Sequence, residues 1–338
     1  MLYLQTRSEW NMYKLSIDAM SGDLGSAIVV EACEMFIKSH HDAELYVTGK
    51  KEELEKLSSY PHIHIVDARD IVKMDDGIMS VRRKKESSMV KAVMMAREGI
   101  VDGVVSCGST GAFYTSAMLF LKRIEGVEKS CLMVMMPTYN GKGMAMLDVG
   151  ANAENTAEQL YDFAIMGHIY AKNIRGIQQP RVALLNIGTE SKKGDETHQK
   201  AYQLLQQSDR LHFIGNVEGR DILSGDYDVV VTDGFSGNIA LKTCEGVAGT
   251  LMKMIKESMM SSFKGKLGAL LAKSSLYSLK EKFDYKSVGG ALMMGFEKAV
   301  VKAHGASDAK AFSNAMDLAY QMVKMDVVGQ MKEGLSQK

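Results

Sequence analysis

Short apolar runs alternate with longer amphipathic segments along this chain, and the alternation limits the folds open to it. Most of the short runs are continuously apolar, which is typical of strands buried on both faces of a parallel sheet. The segments between them have apolar residues at three- and four-residue spacing, which indicates helices. The predicted strands are 13–19, 44–49, 63–68, 103–107, 144–150, 181–188, 212–217 and 228–234. The pattern predicts βαβ units and a three-layer, Rossmann-like α/β/α sandwich.

The domain organisation follows from length and from the lack of linkers. The chain has 338 residues, enough for one large α/β domain or for two intertwined halves. It has no internal repeat, no linker rich in proline, glycine and serine, and only three prolines. We therefore expect one α/β/α catalytic domain over residues 13–335, preceded by a disordered N-terminal extension over residues 1–12.

Charge, cysteines and hydropathy exclude several classes of protein. Lysine plus arginine and aspartate plus glutamate both number 41, so net charge gives no reason to expect a nucleic-acid partner. The four cysteines form no CxxC pair, which argues against a metal site or disulfides and favours the cytoplasm. No apolar run reaches the roughly 18 residues of a membrane span. The 26 methionines, several of them paired, are expected to fill the core.

Small polar loops that contain glycine follow five of the predicted strands. They are DAMSGDLG (18–25), SCGSTGA (106–112), DVGAN (148–152), NIGTE (186–190) and DGFSGN (233–238). Ligands of open α/β sheets bind outside the carboxyl ends of the strands, and helix N-termini next to glycine-containing loops favour anions. One such loop is ordinarily a turn or a helix cap. Five at one edge of a sheet favour a site that handles phosphate.

The common phosphate and hydrolase motifs are absent. The chain has no GxxxxGK[ST], HExxH or GxSxG, and SCGSTGA does not match GxGxxG. A P-loop NTPase, a zinc protease and an α/β-hydrolase are therefore not favoured, and a dinucleotide site has little support.

Long motifs carry a family resemblance from Tyr13 to about Ala319. They are IDAMSGD, VRRKKESSMV, SCGSTGA, MLDVGANAE, PRVALLNIGTESKKGDE, FIGNVEGRD, DVVVTDGFSGNIALKTCEG and VVKAHGASDAKAF. In this order they resemble the bacterial acyl-ACP:phosphate acyltransferases, the PlsX family. Two loops depart from the family pattern, because Ser21 replaces a glycine of DAMGGD while Cys107 and Ser109 replace the alanine and asparagine of SAGNTGA.

The resemblance implies a fold like that of isopropylmalate dehydrogenase and phosphotransacetylase, and a homodimer. It implies a reaction in which acyl carrier protein (ACP) carrying a fatty acyl group reacts with inorganic phosphate to give acyl phosphate and free ACP, for phospholipid synthesis. No cofactor is implied. The family is peripheral to the membrane, so we expect a cytoplasmic enzyme that associates with an anionic membrane surface.

This chemistry needs a cation and neutral donors rather than a covalent nucleophile, because phosphate attacks and a thiolate leaves without strong acid help. Lys193 matches the functional lysine of the family motif, although most such lysines are simply solvated. Ser236, Gly237 and Asn238 are expected to present a hydroxyl, a free N–H and an amide at a helix start; a plain N-cap is the alternative. His304 is either a hydrogen-bond donor and acid or a structural histidine.

The remaining substrate contacts are assigned to the loops themselves. The predicted phosphate- and substrate-binding residues are Asp18, Gly22, Gly108, Thr110, Gly111, Asn152, Gly188, Ser236 and Gly237. The basic run Arg82, Arg83, Lys84 and Lys85 is a solvated face, a phosphate site or a docking site for the acidic carrier protein. We assign it to docking.

Residues 251–282 form a basic amphipathic pattern. They contain seven lysines and two glutamates, a local charge of +5. Their apolar positions include Phe263, Leu267, Leu270 and Leu271. Such a protruding helical segment either lies on an anionic membrane or packs against a partner helix in a dimer, and the resemblance favours the membrane.

Two other functions compete with the acyltransferase. A dehydrogenase of the isopropylmalate type would share the fold, but it needs a cluster of metal-binding aspartates and a nicotinamide site, and neither pattern is present. A non-enzymatic scaffold at the membrane would keep the 251–282 helices and need none of the polar loop residues.

Overall fold

A computed structural model describes residues 12–276 and 289–336. The predicted extension therefore lies outside the described residues up to position 11. The described chain divides into two compact units. The first comprises the residues up to Glu125 together with Gly289–Glu333, and the second comprises the described part of Gly126–Val288 and the residues from Gly334 onward. That they form one domain remains a prediction.

The strands are β1 (Tyr13–Asp18), β2 (Ala43–Gly49), β3 (Ile63–Asp67), β4 (Gly103–Ser106), β5 (Cys131–Met136), β6 (Met144–Leu147), β7 (Arg181–Asn186), β8 (His212–Glu218), β9 (Val229–Val231), β10 (Ala291–Met294) and β11 (Ala299–Lys302). The α-helices are α1 (Ser26–Ile37), α2 (Lys51–Leu54), α3 (Ser88–Arg97), α4 (Thr110–Phe120), α5 (Ala157–Asn173), α6 (Glu196–Gln207), α7 (Gly234–Met260), α8 (Phe263–Leu271), α9 (Ala309–Lys324) and α10 (Val327–Ser336). Two 3₁₀ helices cover Glu55–Ser59 and Ile78–Arg82.

The first unit is built on the strand order β3-β2-β1-β4-β11-β10. All neighbours in it are parallel except β10, which runs antiparallel to β11. The Ser16 hydroxyl donates to the Ala92 carbonyl of α3 at 2.8 Å, so this side of β1 faces α3. Leu15 and Ile17 alternate to the other face, and both are fully buried. Helices cover both faces because both faces are apolar.

The second unit is built on the order β5-β6-β9-β7-β8. Strands β6, β9, β7 and β8 are parallel neighbours, and β5 runs antiparallel to β6. Helix α5 begins with a capping box, in which Thr156 and Gln159 exchange side-chain and backbone hydrogen bonds. It packs against β6 and β9, and α6 packs against α5 and β8. The carboxyl ends of β6, β9 and β7 lie side by side and carry the loops considered below.

The predicted α/β/α architecture and all eight predicted strands are confirmed, but β5, β10 and β11 were missed. All three belong to antiparallel pairs, β5 with β6 and β10 with β11, which a purely parallel sheet does not contain. The sequences CLMVMM and ALMM form β5 and β10. Methionine is a good helix former and has no β-branch, so its runs carry no strand signal, and tertiary packing decides their conformation.

Helix α7 connects the DGFSGN loop with the amphipathic segment 251–282, which the sequence analysis treated as separate features. It begins in the DGFSGN loop and continues for 27 residues, so the first part of the amphipathic segment belongs to the same helix. Only Gly234, Gly237 and Leu241 of α7 are buried, and no residue of α8 is. The two helices pack against each other, and α7 also contacts β5 and β6. Residues 277–282 of the predicted segment lie outside the described residues.

Candidate active site

Asp148 organises the loop after β6 in the second unit. Its side chain is fully buried, and one oxygen accepts from the N–H groups of Leu132, Gly150 and Ala151 at 2.9, 3.2 and 3.0 Å. The other oxygen accepts from the backbone and side-chain nitrogens of Asn152 at 2.9 and 2.8 Å. Burial raises the pKa of Asp148, and these hydrogen bonds oppose that rise. The loop is therefore held from within by its own acid.

The side chain of Asn152 takes part in the same network. Its amide nitrogen donates to Asp148 and to the Ser130 carbonyl, both at 2.8 Å. Both amide hydrogens thus hold the loop. A phosphate contact from this amide remains a prediction, and it would require one of these two hydrogen bonds to be replaced by one to phosphate.

The start of α7 packs directly on the Asp148 loop. A Cβ at Gly237 would overlap the Asp148 carbonyl oxygen, and a Cβ at Gly234 would overlap the Asn152 carbonyl oxygen. Glycine is needed at both places because backbone meets backbone. The Gly237 N–H donates to the Asp233 carbonyl at 2.9 Å, so the expectation of a free N–H there is wrong. The helix geometry already uses that donor.

Other groups of the first turn of α7 remain open. The Asp233 carboxylate caps the helix by accepting from the Ser236 N–H at 2.8 Å. The side chain of Asn238 is exposed, and in the described ranges no protein group hydrogen-bonds to it. Phe235 and Ile239, on either side of these polar residues, are 64% and 51% exposed. An amide and two apolar side chains therefore face outward at this helix start.

Lys193 lies in the loop after β7, the strand that pairs with β9 in the sheet. Its aliphatic stem folds over Gly188, since a Cβ there would come within 2.9 Å of the Lys193 Cγ. The ammonium is 4.0 Å from Glu190 and the side chain is 47% exposed. Asn186 ties the loop to the strand by donating to the Lys193 carbonyl at 3.1 Å. The backbone is fixed while the cation stays accessible.

His198 links the two loops. At the start of α6, its Nδ1 lies 2.7 Å from an Asp195 oxygen, and that oxygen also accepts from the His198 N–H at 2.9 Å. Its Nε2 lies 3.6 Å from an Asp233 oxygen at the start of α7. Pairing with the Asp233 carboxylate raises the pKa of His198, burial opposes the rise, and Asp195 adds to it. Neither His198 nor Asp195 was predicted, although the D-x-x-H spacing at a helix start is a recognisable cap signal.

The first unit has a buried acid at the end of β1. Asp18 accepts hydroxyl hydrogen bonds from Ser88 and Ser106, both at 2.6 Å, and one from the Met20 N–H at 3.3 Å. It is fully buried. Asp18 therefore joins β1, β4 and α3 and holds the loops in place, and a direct phosphate contact remains a prediction.

Close packing also explains Gly22 and Gly108. A Cβ at Gly22 would overlap the Cys107 sulfur, and one at Gly108 would lie 2.6 Å from the Ser21 Cβ. Burial raises the pKa of Cys107 to about 12, so the thiol stays protonated at neutral pH and is a poor nucleophile. The Ser21 hydroxyl is buried and has no hydrogen-bond partner among the described residues.

Three of the predicted site residues in this unit are exposed, namely Thr110, Gly111 and His304. Thr110 and Gly111 begin α4, whose N-cap residue Ser109 makes no side-chain cap hydrogen bond, so the first N–H groups are not capped in that way. The Nδ1 of His304 accepts from the Ala306 N–H at 3.1 Å, which puts the proton of the neutral ring on Nε2. These positions are compatible with anion binding, which stays a prediction.

The basic run divides in the structure. The Lys84 ammonium donates to the Ile71 carbonyl at 2.8 Å and to Asp76 at 2.7 Å. Arg82, Arg83 and Lys85 are exposed and have no acidic partner within residues 12–276 and 289–336. Lys84 thus supports the loop, and three of the four cations remain available for a partner.

No group of three or more His, Cys, Asp or Glu in the described part of the chain is placed to hold a metal ion. None of its helices is both long and apolar enough to cross a membrane.

Comparison with known proteins identifies the family. The sequence matches the family described as fatty acid synthesis protein over residues 13–330. A phosphate acyltransferase of Streptococcus agalactiae serotype III (strain NEM316) is 44% identical over 328 residues, which cover 96% of this chain and 99% of the relative. A phosphate acyltransferase of Exiguobacterium sp. (strain ATCC BAA-1283 / AT1b) is 45% identical over 326 residues, covering 94% and 98%.

Solved structures support the fold. The EutD phosphotransacetylase from Staphylococcus aureus superposes with a TM-score of 0.63 at 16% identity, covering 93% of this chain and 95% of that chain. A phosphotransacetylase from Streptococcus pyogenes gives 0.62 at 18% identity, covering 93% and 94%. At such identities the similarity concerns the fold alone, whereas the sequence matches extend to the family. The chain therefore belongs to the fatty acid synthesis family of the phosphate acyltransferases.

Proposed function

We propose that this protein transfers a fatty acyl group from the thioester of acyl carrier protein to inorganic phosphate, giving acyl phosphate and the free carrier. Family membership supports acyl transfer to phosphate. That acyl carrier protein is the donor is our proposal. One observation carries the assignment of the site. An accessible ammonium, Lys193, and an exposed amide, Asn238, follow two neighbouring parallel strands of the second unit.

The reaction requires no covalent enzyme intermediate. A phosphate oxygen attacks the thioester carbonyl carbon and forms a tetrahedral oxyanion. The oxyanion collapses, the carbon–sulfur bond breaks, and its electron pair leaves with the sulfur as a thiolate. The proton that the attacking hydrogen phosphate carried passes to the thiolate, which gives acyl phosphate and the free thiol of the carrier. The enzyme must therefore bring two negative charges together and stabilise them.

Lys193 and the start of α7 divide this task. The Lys193 ammonium neutralises the phosphate through charge-assisted hydrogen bonds. The Asn238 amide donates to the developing oxyanion or to phosphate without adding a charge that would repel either. The positive end of the α7 dipole favours an anion at the same place. His304 would donate to phosphate or protonate the leaving sulfur through its Nε2–H.

The acyl chain requires apolar surface beside these groups. Ile187, which precedes Gly188, is 80% exposed, and Phe235 and Ile239 flank the polar residues of α7. Exposed apolar side chains this large have a cost in water that a hydrocarbon ligand removes. Ile187 lies in the same loop as Lys193, and Phe235 and Ile239 lie near Asn238 in α7. These positions support a fatty acyl thioester over a polar donor.

The test is acyl phosphate formation from palmitoyl-ACP and phosphate by the purified protein. The Lys193→Ala variant is expected to lose at least about tenfold in turnover, since a charge-assisted contact contributes roughly 1.5–3 kcal/mol. The neighbouring Lys192 is also exposed, so Lys192→Ala is the matched control and should keep its activity. Equal activities in the two folded variants would remove Lys193 from the site.

Docking of the carrier and membrane association extend the proposal. The exposed cations Arg82, Arg83 and Lys85 suit the acidic surface of a carrier protein. The exposed stripe of α7 and α8 suits peripheral association with an anionic membrane, where the acyl phosphate would be consumed. A homodimer is also proposed, as the family resemblance implies, and the stripe is assigned to the membrane rather than to the dimer interface.

A further inference from the structure

We propose that His198 is a positioning residue that couples the Lys193 loop to the catalytic start of α7. The inference rests on the proposed roles of Lys193 and Asn238, and it concerns a residue that contacts neither substrate. Its basis is the place of one imidazole ring between the caps of two helices.

On one side, His198 secures the loop that carries Lys193. The Asp195 carboxylate caps α6, accepts from the His198 N–H and pairs with the ring Nδ1. Asp195 follows Gly194, which has a φ of 84°. A Cβ at Gly194 would lie 2.7 Å from the His198 Cβ and 2.8 Å from the Asn186 side-chain oxygen. The loop, the Cβ of His198 and the end of β7 are thus in close contact, and a shift of His198 would shift the backbone next to Lys193.

On the other side, His198 faces the cap of α7. The Asp233 carboxylate uses one oxygen to accept from the Ser236 N–H at 2.8 Å. Its other oxygen lies 3.6 Å from the His198 Nε2. The rotation of Asp233 is therefore limited from two directions, by the helix that it caps and by the ring. Since α7 begins at Gly234, the orientation of Asp233 sets the direction in which Asn238 points.

The charge of the ring decides how strong this coupling is. Asp195 on its own helix and Asp233 on α7 are the two charged groups that face it. A neutral imidazole has one N–H and donates to only one carboxylate, whereas the imidazolium donates to both. Pairing with the Asp233 carboxylate, more than with that of Asp195, raises the pKa of His198 against the opposing effect of burial. The protonated ring can therefore link Asp195 and Asp233, whereas the neutral ring can donate to only one of them.

A role in proton transfer does not fit this geometry. Both ring nitrogens face carboxylates, and only 18% of the side chain is exposed. A ring enclosed in this way acts on the reaction through the groups that it holds. The expected result of its loss is therefore a lower kcat with little change in the KM for the carrier protein.

The first experiment measures coupling without measuring activity. Hydrogen exchange would be compared between the full-length protein and its His198→Gln variant, with His212→Gln on the exposed part of β8 as the matched control. Faster exchange is expected both at Lys193–Gly194 and at Ser236–Gly237. Faster exchange confined to the α6 start would show a local cap and would overturn the proposal.

The second experiment uses acyl phosphate synthesis as a function of pH. The wild type is expected to lose kcat as pH rises through the pKa of His198, and His198→Gln should lack that ionisation and have a kcat about tenfold lower at pH 6. An unchanged profile and rate in His198→Gln would overturn the inference while leaving the acyltransferase intact. Absence of acyl phosphate in every variant, including wild type, would instead reject the proposed function, and the exchange result would still decide whether the two loops are coupled.

Discussion

The Asp148 carbonyl oxygen lies where the side chain of Gly237 would begin, so the first turn of α7 rests on the loop after β6 without any side chain between them. Asn238, the proposed oxyanion donor, is the next residue along the helix. The position of the amide is therefore set by contact between two stretches of backbone. Glycine at position 237 allows the helix backbone to approach the Asp148 carbonyl closely. The same packing suppresses the flexibility that glycine would give an isolated helix.

The first prediction contrasts two glycines of α7. Gly237→Ala should destabilise the protein by about 1–3 kcal/mol, because the new methyl overlaps Asp148 and approaches the Thr232 Cγ2 within 2.7 Å. Gly249→Ala on the same helix should stabilise it by up to about 1 kcal/mol, since a Cβ there meets nothing within 4 Å. Denaturant unfolding measures both. Equal effects of the two substitutions would contradict the close contact.

The second prediction concerns the charge next to phosphate. Asn238→Asp should reduce turnover more than Asn238→Ala does, since repulsion of the anionic substrates adds to the lost donor. An aspartate near a helix N-terminus is favourable to the helix, so the loss cannot be ascribed to unfolding. Turnover and thermal unfolding are measured on the same preparations. If aspartate is tolerated better than alanine, the side chain of Asn238 does not face the anionic substrates.

The third prediction concerns a departure from the family pattern. Ser21 is only 2% exposed, and its hydroxyl lacks a hydrogen-bond partner among the residues described. Ser21→Ala removes the unsatisfied oxygen and keeps the Cβ that touches the Gly108 region, so it should stabilise the protein by about 1–3 kcal/mol. Ser106→Ala, which deprives Asp18 of a 2.6 Å hydrogen bond, should do the opposite. A lower unfolding temperature for Ser21→Ala would show that the hydroxyl does have a partner.

The fourth prediction follows from the acid that caps α7. Burial alone would raise the pKa of Asp233, but the ion pair with His198 and the hydrogen bond from the Ser236 N–H lower it to about 2 from the usual 3.8. A lowered pKa contributes stability that is complete above pH 3.8 and is lost as pH falls through about 2. The difference in unfolding free energy between wild type and Asp233→Asn should therefore shrink over that interval. A difference that stays constant from pH 5 to pH 2 would contradict the ion pair.

Sequence patterns were sufficient for the elements whose signal is local. Continuous apolar runs predicted all the parallel strands except β11, and the change from DVVVTD to GFSGN correctly predicted a helix start near Gly234. The strands β5 and β10 were not predictable in this way, since their methionines are strand residues only because neighbouring strands pair with them. The roles of His198 and Asn152 were also hidden, because each depends on a group far along the chain, Asp233 and Ser130 respectively. The positions of the loops along the chain could be read from local sequence. The hydrogen bonds that hold the loops could not, because they join residues far apart in the sequence.

The last prediction concerns the exposed stripe of α8. Phe263, Leu267, Leu270 and Leu271 are 84%, 51%, 68% and 78% exposed. Each leucine would contribute up to roughly 1.5–3 kcal/mol when buried in the acyl–headgroup boundary, and each nearby lysine about 1 kcal/mol on anionic lipid. We therefore expect the protein to sediment with vesicles rich in phosphatidylglycerol, less with neutral vesicles, and less at high salt.

A pair of charge-matched variants separates the apolar contribution from the electrostatic one. Leu267→Glu with Leu270→Glu should release the protein from anionic vesicles and leave acyl phosphate synthesis in solution largely intact, because neither residue lies in the loops of the site. Thr250→Glu with Ser258→Glu adds the same two charges at exposed polar positions of α7 and removes no apolar surface, so binding should weaken but persist. If the leucine variant becomes monomeric or unfolds while the parent ignores anionic vesicles, the stripe is an interface between two copies of the chain, and the membrane hypothesis is wrong. Equal loss of vesicle binding in both variants would show that charge alone holds the protein at the surface.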